Sequence, residues 1–404
     1  MLGSHDTEDS VLNRTDALIL VVDDNADNRD VLARRVKRLG YPNVQMAEDG
    51  EAALKLIGEQ TFDLVLLDVM MPGISGVDVL EDMRSHGRLE DTPVIMISAA
   101  TEIDTVAKCL ELGAEDYLPK PFNPIVLRAR VNSVLEKKLL RAEVRRQLAR
   151  LEKELAQARE QQLSMLPSEF PQASAARPVD VHAVLHPAQE VGGDLYDVFE
   201  VGPDTLCVAV GDVSGKGVPA ALFMARTRSL LRAGALQFFE GAGRAPRPSE
   251  LAKILNEELC KNNPATMFVT LFLGFLDLRS GKLVYLNAGH IPPFLLRGGT
   301  AAVCPSPPDL PLGAMDMVDH VDAELELVEG DALVVVSDGV LDIENAAGED
   351  YTLERVLADL NELSAAAPST ITAQMLSRAH GFANGVPQFD DVTILALRLR
   401  GLKA

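Results

Sequence analysis

Residues 18–25 read LILVVDDN, five apolar side chains running straight into two carboxylates and an asparagine. A short, wholly apolar run that stops at turn formers is the mark of a strand buried on both faces. Working outward, similar runs return at VQMA (44–47), DLVLL (63–67), PVIMI (93–97) and DYL (116–118). Amphipathic stretches lie between them, such as NRDVLARRVKRLG (28–40), which Gly40 closes as a C-cap would. Five strands alternating with helices predict a parallel sheet covered on both faces.

Ligands of such a sheet bind outside the carboxyl ends of its strands. Those ends carry Asp23 and Asp24, then Asp68, then Ser98, then Lys120. A carboxylate cluster there repels itself unless it holds a hard cation, and Mg²⁺ suits one or two carboxylates plus phosphate oxygens. Asp68 is then the nucleophile for an incoming phosphoryl group. Lys120 can pair with the phosphate formed, and the Ser98 hydroxyl can hydrogen-bond to it. One aspartate alone reads as a turn former or helix cap; the whole set in this order does not.

VVDDN (21–25), LLDVMMPGISG (66–76), MISAA (96–100) and DYLPKPF (116–122) closely resemble the receiver domain of two-component response regulators. The resemblance covers about 120 residues and implies a flavodoxin-like fold, Asp68 as phospho-acceptor and a histidine kinase or phosphotransfer protein as donor. It places Asp23, Asp24, Asp68 and the Met70 carbonyl around Mg²⁺. Tyr117 falls at the family's switch aromatic, or is simply a half-buried strand residue. The Lys120–Pro121 bond falls where the family often has a cis peptide.

The chain's 404 residues suit two or three domains plus a connector. We expect a flexible head at 1–16, the receiver at 17–123, a helical linker at 124–166 and a second catalytic region at 167–404. Residues 125–166 contain neither proline nor glycine, and as one helix would run roughly 60 Å. Leu148, Leu151, Leu155, Ala158, Gln162 and Met165 recur at steps of three and four, a coiled-coil seam. Val131, Leu135, Leu140 and Val144 fall out of that register, as a stutter would. So narrow a seam favours a homodimer over a helix folded back on its own domains.

Beyond Pro167, strand-like runs dominate: VDVHAVLH, TLCVAVGDV, MFVTLFLGFLDL, GKLVYLNAG, DALVVVSDGV and DVTILALRLR. Helices are predicted at 218–236, 248–261 and near 370–382. This is an α+β region of antiparallel character. Its aspartates adjoin strands and glycines: Asp194 in GGD (192–194), Asp212 in GDVSGKG (211–217), Asp338 in SDG (337–339), then Asp390 and Asp391. Four carboxylate segments, with no Cys or His at ligand spacing, describe a hard-metal site for two Mn²⁺ or Mg²⁺. Two such ions activate a bridging water and clamp the phosphate it attacks, so no Ser or Cys nucleophile is needed. GDVSGKG lacks the spacing of a nucleotide-binding P-loop. His182 and His186, about 13 Å apart on one strand, cannot share an ion.

VGGDLYDVF (191–199), GDVSGKGVPAALFMA (211–225), LNAGHIPPFLL (286–296), LVVVSDGVLDIEN (333–345) and FDDVTILALR (389–398) resemble the PPM family of metal-dependent serine/threonine phosphatases, in its SpoIIE-like branch. The resemblance implies a β-sandwich flanked by helices. It puts the bridging metal ligand on Asp212, a further ligand on the Val213 carbonyl, Asp338 and Asp390 on one metal, and Asp194 near the other. Either Asp390 or Asp391 can be the inward carboxylate. His290 serves either a core-polar or capping role or proton transfer. AREQQLSMLP (158–167) resembles the join at which this branch meets its input domain.

Together the two halves predict a response regulator whose phosphorylated Asp68 controls a protein phosphatase. The resemblance implies, as substrate, a phosphorylated anti-sigma-factor antagonist of bacterial partner switching and stress response. The alternative is a catalytically silent adaptor that binds a regulatory partner on phosphorylation. With 60 acidic and 38 basic residues the net charge is −22, which repels nucleic acid. No apolar run reaches the ~20 residues of a membrane span. The four scattered cysteines suit a reduced, cytoplasmic protein.

Overall fold

The computed structural model describes residues 16–99, 103–170, 178–307 and 309–402; the head expected at 1–16 lies outside them except for Asp16. The chain divides into two compact units, 1–151 and 152–404.

The front unit alternates strand and helix from end to end. Its elements are β1 (Leu18–Val22), α1 (Ala26–Arg38), β2 (Asn43–Ala47), α2 (Gly50–Glu59), β3 (Leu64–Asp68), α3 (Gly76–Ser85), β4 (Val94–Ala99), α4 (Ile103–Leu112) and β5 (Asp116–Lys120). All strands run parallel in the order β2-β1-β3-β4-β5, the flavodoxin-like arrangement. Side chains of β1 alternate between two cores: Leu20 and Val22 pack under α2 and α3, Ile19 and Val21 under α1 and the next helix. Local chemistry sets the helix starts. Asn25 accepts from the Asp27 and Asn28 amides at the head of α1, and Ser75 forms a capping box with Asp78 on α3. Gly40, at φ +97°, ends the α1 turn as expected.

The next helix, α5 (Pro124–Met165), is a single element of 42 residues. Leu127, Val131, Val134 and Leu135 complete the front core, and Lys138, Arg141 and Arg145 form ion pairs with Asp63, Glu115 and Asp91. Beyond them Leu148 and Leu151 are exposed.

The rear unit is built of β6 (Val179–His186), β7 (Leu195–Glu200), β8 (Thr205–Val213), α6 (Val218–Ala242), α7 (Pro248–Cys260), β9 (Val269–Asp277), β10 (Lys282–Ala288), β11 (Phe294–Arg297), β12 (Thr300–Val303), β13 (Ala323–Glu326), β14 (Ala332–Val336), α8 (Leu353–Glu362), α9 (Pro368–Ala383) and β15 (Val392–Leu399). Two antiparallel five-stranded sheets form, ordered β13-β10-β9-β8-β7 and β12-β11-β14-β15-β6. Strand periodicity explains the layering. On β14 and β15, Leu333, Val335, Leu395 and Leu397 point into the core shared with the first sheet, while Val334, Val336, Ile394 and Ala396 point outward beneath α8 and α9. Helices α6 and α7 cover the other sheet, completing the expected helix-flanked sandwich. The sequence reading did not include α8, the six-residue strand β7 or the four-residue strands β11, β12 and β13.

Candidate functional site

In the front unit, the parallel sheet brings Asp23, Asp24, Asp68, Ser98 and Lys120 to the carboxyl edge, as the strand ends dictate. Asp23, Asp68 and Ser98 are buried; Asp24 is exposed. Lys120 Nζ lies 2.8 Å from Asp68 Oδ2 and 3.0 Å from Asp23 Oδ2. Burial pushes the Asp68 carboxyl up, Lys120 pulls it partly back, and the charge of Asp23 raises it further. Burial alone would lower the Lys120 ammonium, but its bonds to Asp68 and Asp23 raise it instead, so it stays charged. Asp23, Asp24 and Asp68 each offer an oxygen within 4.8 Å of the others, a hard-oxygen trio that fits Mg²⁺. The Met70 amide also donates to Asp68. Gly76 is required here, because a Cβ on it would meet the Asp68 carbonyl at 1.9 Å. Tyr117 is half-buried on β5 with the Arg130 guanidinium 5.7 Å from its ring centre.

In the rear unit, four carboxylate segments meet at one end of the sandwich. Asp212 ends β8, Asp194 immediately precedes β7, Asp338 follows β14, and Asp390 precedes β15. Their proximity appears in their electrostatics. The Asp212 carboxyl is pushed up to about 7 by burial and by the charges of Asp338 and Asp390. Asp194, buried, is raised well above the usual carboxylate range by desolvation and then by Asp212 and Asp391. Asp338 is raised by burial, then by Asp342 and Asp390. A cluster this crowded with like charge calls for cations. Asp194 hydrogen-bonds Asp212 and accepts from Thr393 Oγ1 at 2.5 Å. The Val213 carbonyl faces the backbone of Gly193, where a Cβ would come within 2.9 Å of it.

The two adjacent aspartates take different roles. Asp391 is buried and its carboxylate is committed to backbone: Oδ1 accepts from Ala188 at 2.9 Å, and Oδ2 from Gly193 at 2.7 Å and Asp194 at 3.4 Å. A Cβ on Gly192 would sit 2.0 Å from Asp391 Oδ2. Asp390 is partly exposed and pairs with Lys216 at 3.1 Å. Asp391 therefore positions the Asp194 loop, while Asp390 faces Lys216.

Three participants escaped sequence reasoning. Asp342 joins the cluster because its amide bonds the Asp338 carbonyl one turn back; burial, Asp390 and Asp350 raise its carboxyl against the pull of Lys216. Thr393 holds Asp194. Gln162, expected on the coiled-coil seam, is instead buried near the end of α5. Its Nε2 donates to the Gly192 carbonyl at 2.6 Å and its Oε1 accepts from the Gly192 amide at 3.1 Å. Its polar side chain at an otherwise apolar seam position was the one available signal. His290 is buried, bonded through Nδ1 to Thr270 at 2.9 Å, and held down to about 4 chiefly by desolvation, so it is neutral at pH 7. His182 and His186 bond Thr372 and Gln388 respectively.

Residues 19–132 match the family described as response regulator receiver domain, and residues 202–400 match the family described as Stage II sporulation protein E (SpoIIE). The chain is a receiver domain joined to a SpoIIE-family phosphatase domain. Similar curated proteins include Protein IcfG of Synechocystis sp., 30% identical over 282 residues, covering 65% of this chain and 43% of that protein. Transcriptional regulatory protein CpxR of Escherichia coli is 46% identical over 120 residues, 30% of this chain and 49% of that protein. The chain thus spans just under half the length of these curated relatives. Among solved structures, the SiaA-PP2C domain of Pseudomonas aeruginosa aligns with a TM-score of 0.55 at 21% identity, covering 62% of this chain and 98% of that one, a likeness of fold. Among the described residues, no helix is long and apolar enough to cross a membrane.

Proposed function

We propose that phosphorylation of Asp68, by a histidine kinase or a phosphotransfer protein, controls a metal-dependent protein serine/threonine phosphatase in the SpoIIE-family domain. The observation that carries this reading is the meeting of Asp194, Asp212, Asp338 and Asp390 from four distant segments, where burial and then the charges of Asp338 and Asp390 push Asp212 up to about 7. In the receiver, Asp23, Asp24, Asp68 and the Met70 carbonyl hold Mg²⁺ when it is bound, with Ser98, Lys120 and Tyr117 reading the phosphate. In the rear domain, Asp212, with Asp338, Asp390, Asp194 and the Val213 carbonyl, would hold Mn²⁺ or Mg²⁺. The ions supply an activated water and a clamp for the phosphate.

The control route is α5, which leaves the receiver core and ends with Gln162 gripping the loop that carries Asp194. The exposed Leu140, Val144, Leu148 and Leu151 support a homodimer along that helix. The substrate class we favour is a phosphoserine protein, an anti-sigma-factor antagonist in partner switching. The test is hydrolysis of p-nitrophenyl phosphate by the full chain with Mn²⁺: activity lost on chelation and in Asp212→Ala supports the reading. Equal rates in the wild type and Asp212→Ala would refute it.

A further inference from the structure

The loop GDVSGKG, which lacks the spacing of a nucleotide cradle, carries a lysine in a revealing place. Lys216 stands between Gly215 at φ +88° and Gly217 at φ +71°, where α6 begins. Its ammonium lies 3.1 Å from Asp390 Oδ2, donates to the Phe389 carbonyl at 2.5 Å and sits 3.5 Å from the centre of the Phe389 ring. About a third of the lysine side chain is exposed, and the Phe389 ring beside it is three-quarters exposed. Among the described residues, Lys216 is the one cation ion-paired with a carboxylate of the rear cluster.

We propose that Lys216 is the side chain that grips the substrate phosphate at the rear site. The inference rests on the phosphatase reading above and adds a residue to it. A phosphate monoester carries negative charge towards a group of mutually interacting carboxylates, Asp194, Asp212, Asp338, Asp342 and Asp390. Bound ions cancel part of that field, and an ammonium at the rim supplies a direct charge-assisted donor. The two flanking glycines, both at positive φ, give the loop backbone its turn. The first-turn amides of the 25-residue α6 favour an anion on the same side. The face of Phe389 seats the ammonium at the rim independently of Asp390.

Lys216 and an entering metal compete for the same Asp390 oxygen. Removing the lysine therefore shifts two affinities in opposite directions, phosphate weaker and metal unchanged or tighter. A lysine that merely staples Phe389 and Asp390 in place predicts the reverse, with metal binding weakened and phosphate unaffected.

The experiment compares full-length wild type, Lys216→Met, Lys216→Arg and Phe389→Ala. Inhibition of p-nitrophenyl phosphate hydrolysis by inorganic phosphate is measured at saturating Mn²⁺, with KM and kcat separated, and Mn²⁺ binding is measured by calorimetry without substrate. For Lys216→Met we expect the phosphate inhibition constant and KM to rise about tenfold, the low end for a charged hydrogen bond, with Mn²⁺ bound at least as tightly. Lys216→Arg keeps the charge and restores phosphate inhibition to within about threefold of the wild type, while Phe389→Ala raises the constant about threefold. Unchanged phosphate inhibition in Lys216→Met, or weaker Mn²⁺ binding in its place, overturns the proposal and leaves the phosphatase reading standing. A wild-type chain that binds Mn²⁺ but hydrolyses nothing overturns both.

Discussion

Replacing Asp390 and Asp391 one at a time by asparagine separates a ligand from a scaffold within two consecutive residues. The Asp391 carboxylate accepts three backbone amides, from Ala188, Gly193 and Asp194. An asparagine there offers one carbonyl oxygen, so either the Ala188 bond or the Gly193 and Asp194 pair is lost, with an amide donor turned against a donor. At ~1.5–3 kcal/mol for a hydrogen bond to a charged group, Asp391→Asn costs about 2–4 kcal/mol. At ~2–4 °C per kcal/mol for a domain of this size, the rear-domain melting temperature falls by about 4–16 °C. Asp390→Asn removes an ion pair whose side chains are both about a third exposed, and a surface pair contributes ~0–1 kcal/mol. It melts within about 4 °C of the wild type but loses Mn²⁺-dependent hydrolysis. Calorimetric melting of the metal-free chain, with p-nitrophenyl phosphate assays on the same preparations, reads both effects. A stable Asp391→Asn beside an unstable, active Asp390→Asn would refute the assignment.

The remaining predictions follow from other contacts. Gln162→Ala removes two bonds to Gly192 and strands a buried amide and carbonyl, at about 2–4 kcal/mol; hydrogen exchange at residues 191–194 accelerates, while exchange in β1 and β3 does not. His290 has a folded pKa of about 4, below its unfolded value, so its contribution to stability is present above pH ~6.5 and is lost as pH falls towards 4, at up to ~1.4 kcal/mol per pH unit. His290→Gln flattens that slope in urea titrations between pH 7 and 4.5. The double change Leu148→Arg with Leu151→Arg, at two exposed seam positions, yields monomers by light scattering with unchanged melting of the individual domains.

The front unit was legible because each of its central strands is an apolar run that ends at its own functional residue: LILVV at Asp23, LVLL at Asp68. Parallel order then converts sequence position into spatial position without further information. In the rear unit, aspartates beside glycines and apolar runs marked Asp194, Asp212 and Asp338 but could not divide Asp390 from Asp391. Successive residues of an extended chain point to opposite faces, and the partner that holds the Asp391 carboxylate, the Gly193 amide, lies 198 residues away in the sequence. Asp342 was hidden because its approach depends on one tight turn after Asp338. The four-residue β11, β12 and β13 are too short for periodicity to register. Helix α8 was readable in principle, since Leu353, Val356, Leu357 and Leu360 recur at helical spacing.

The central claim couples Asp68 to the rear carboxylates, and one comparison tests it most directly. Initial rates of Mn²⁺-dependent p-nitrophenyl phosphate hydrolysis are measured for the full chain and for Asp68→Asn, each with and without beryllofluoride. The account predicts that beryllofluoride changes the wild-type rate and leaves that of Asp68→Asn unaltered. Identical wild-type rates in the two conditions would contradict it.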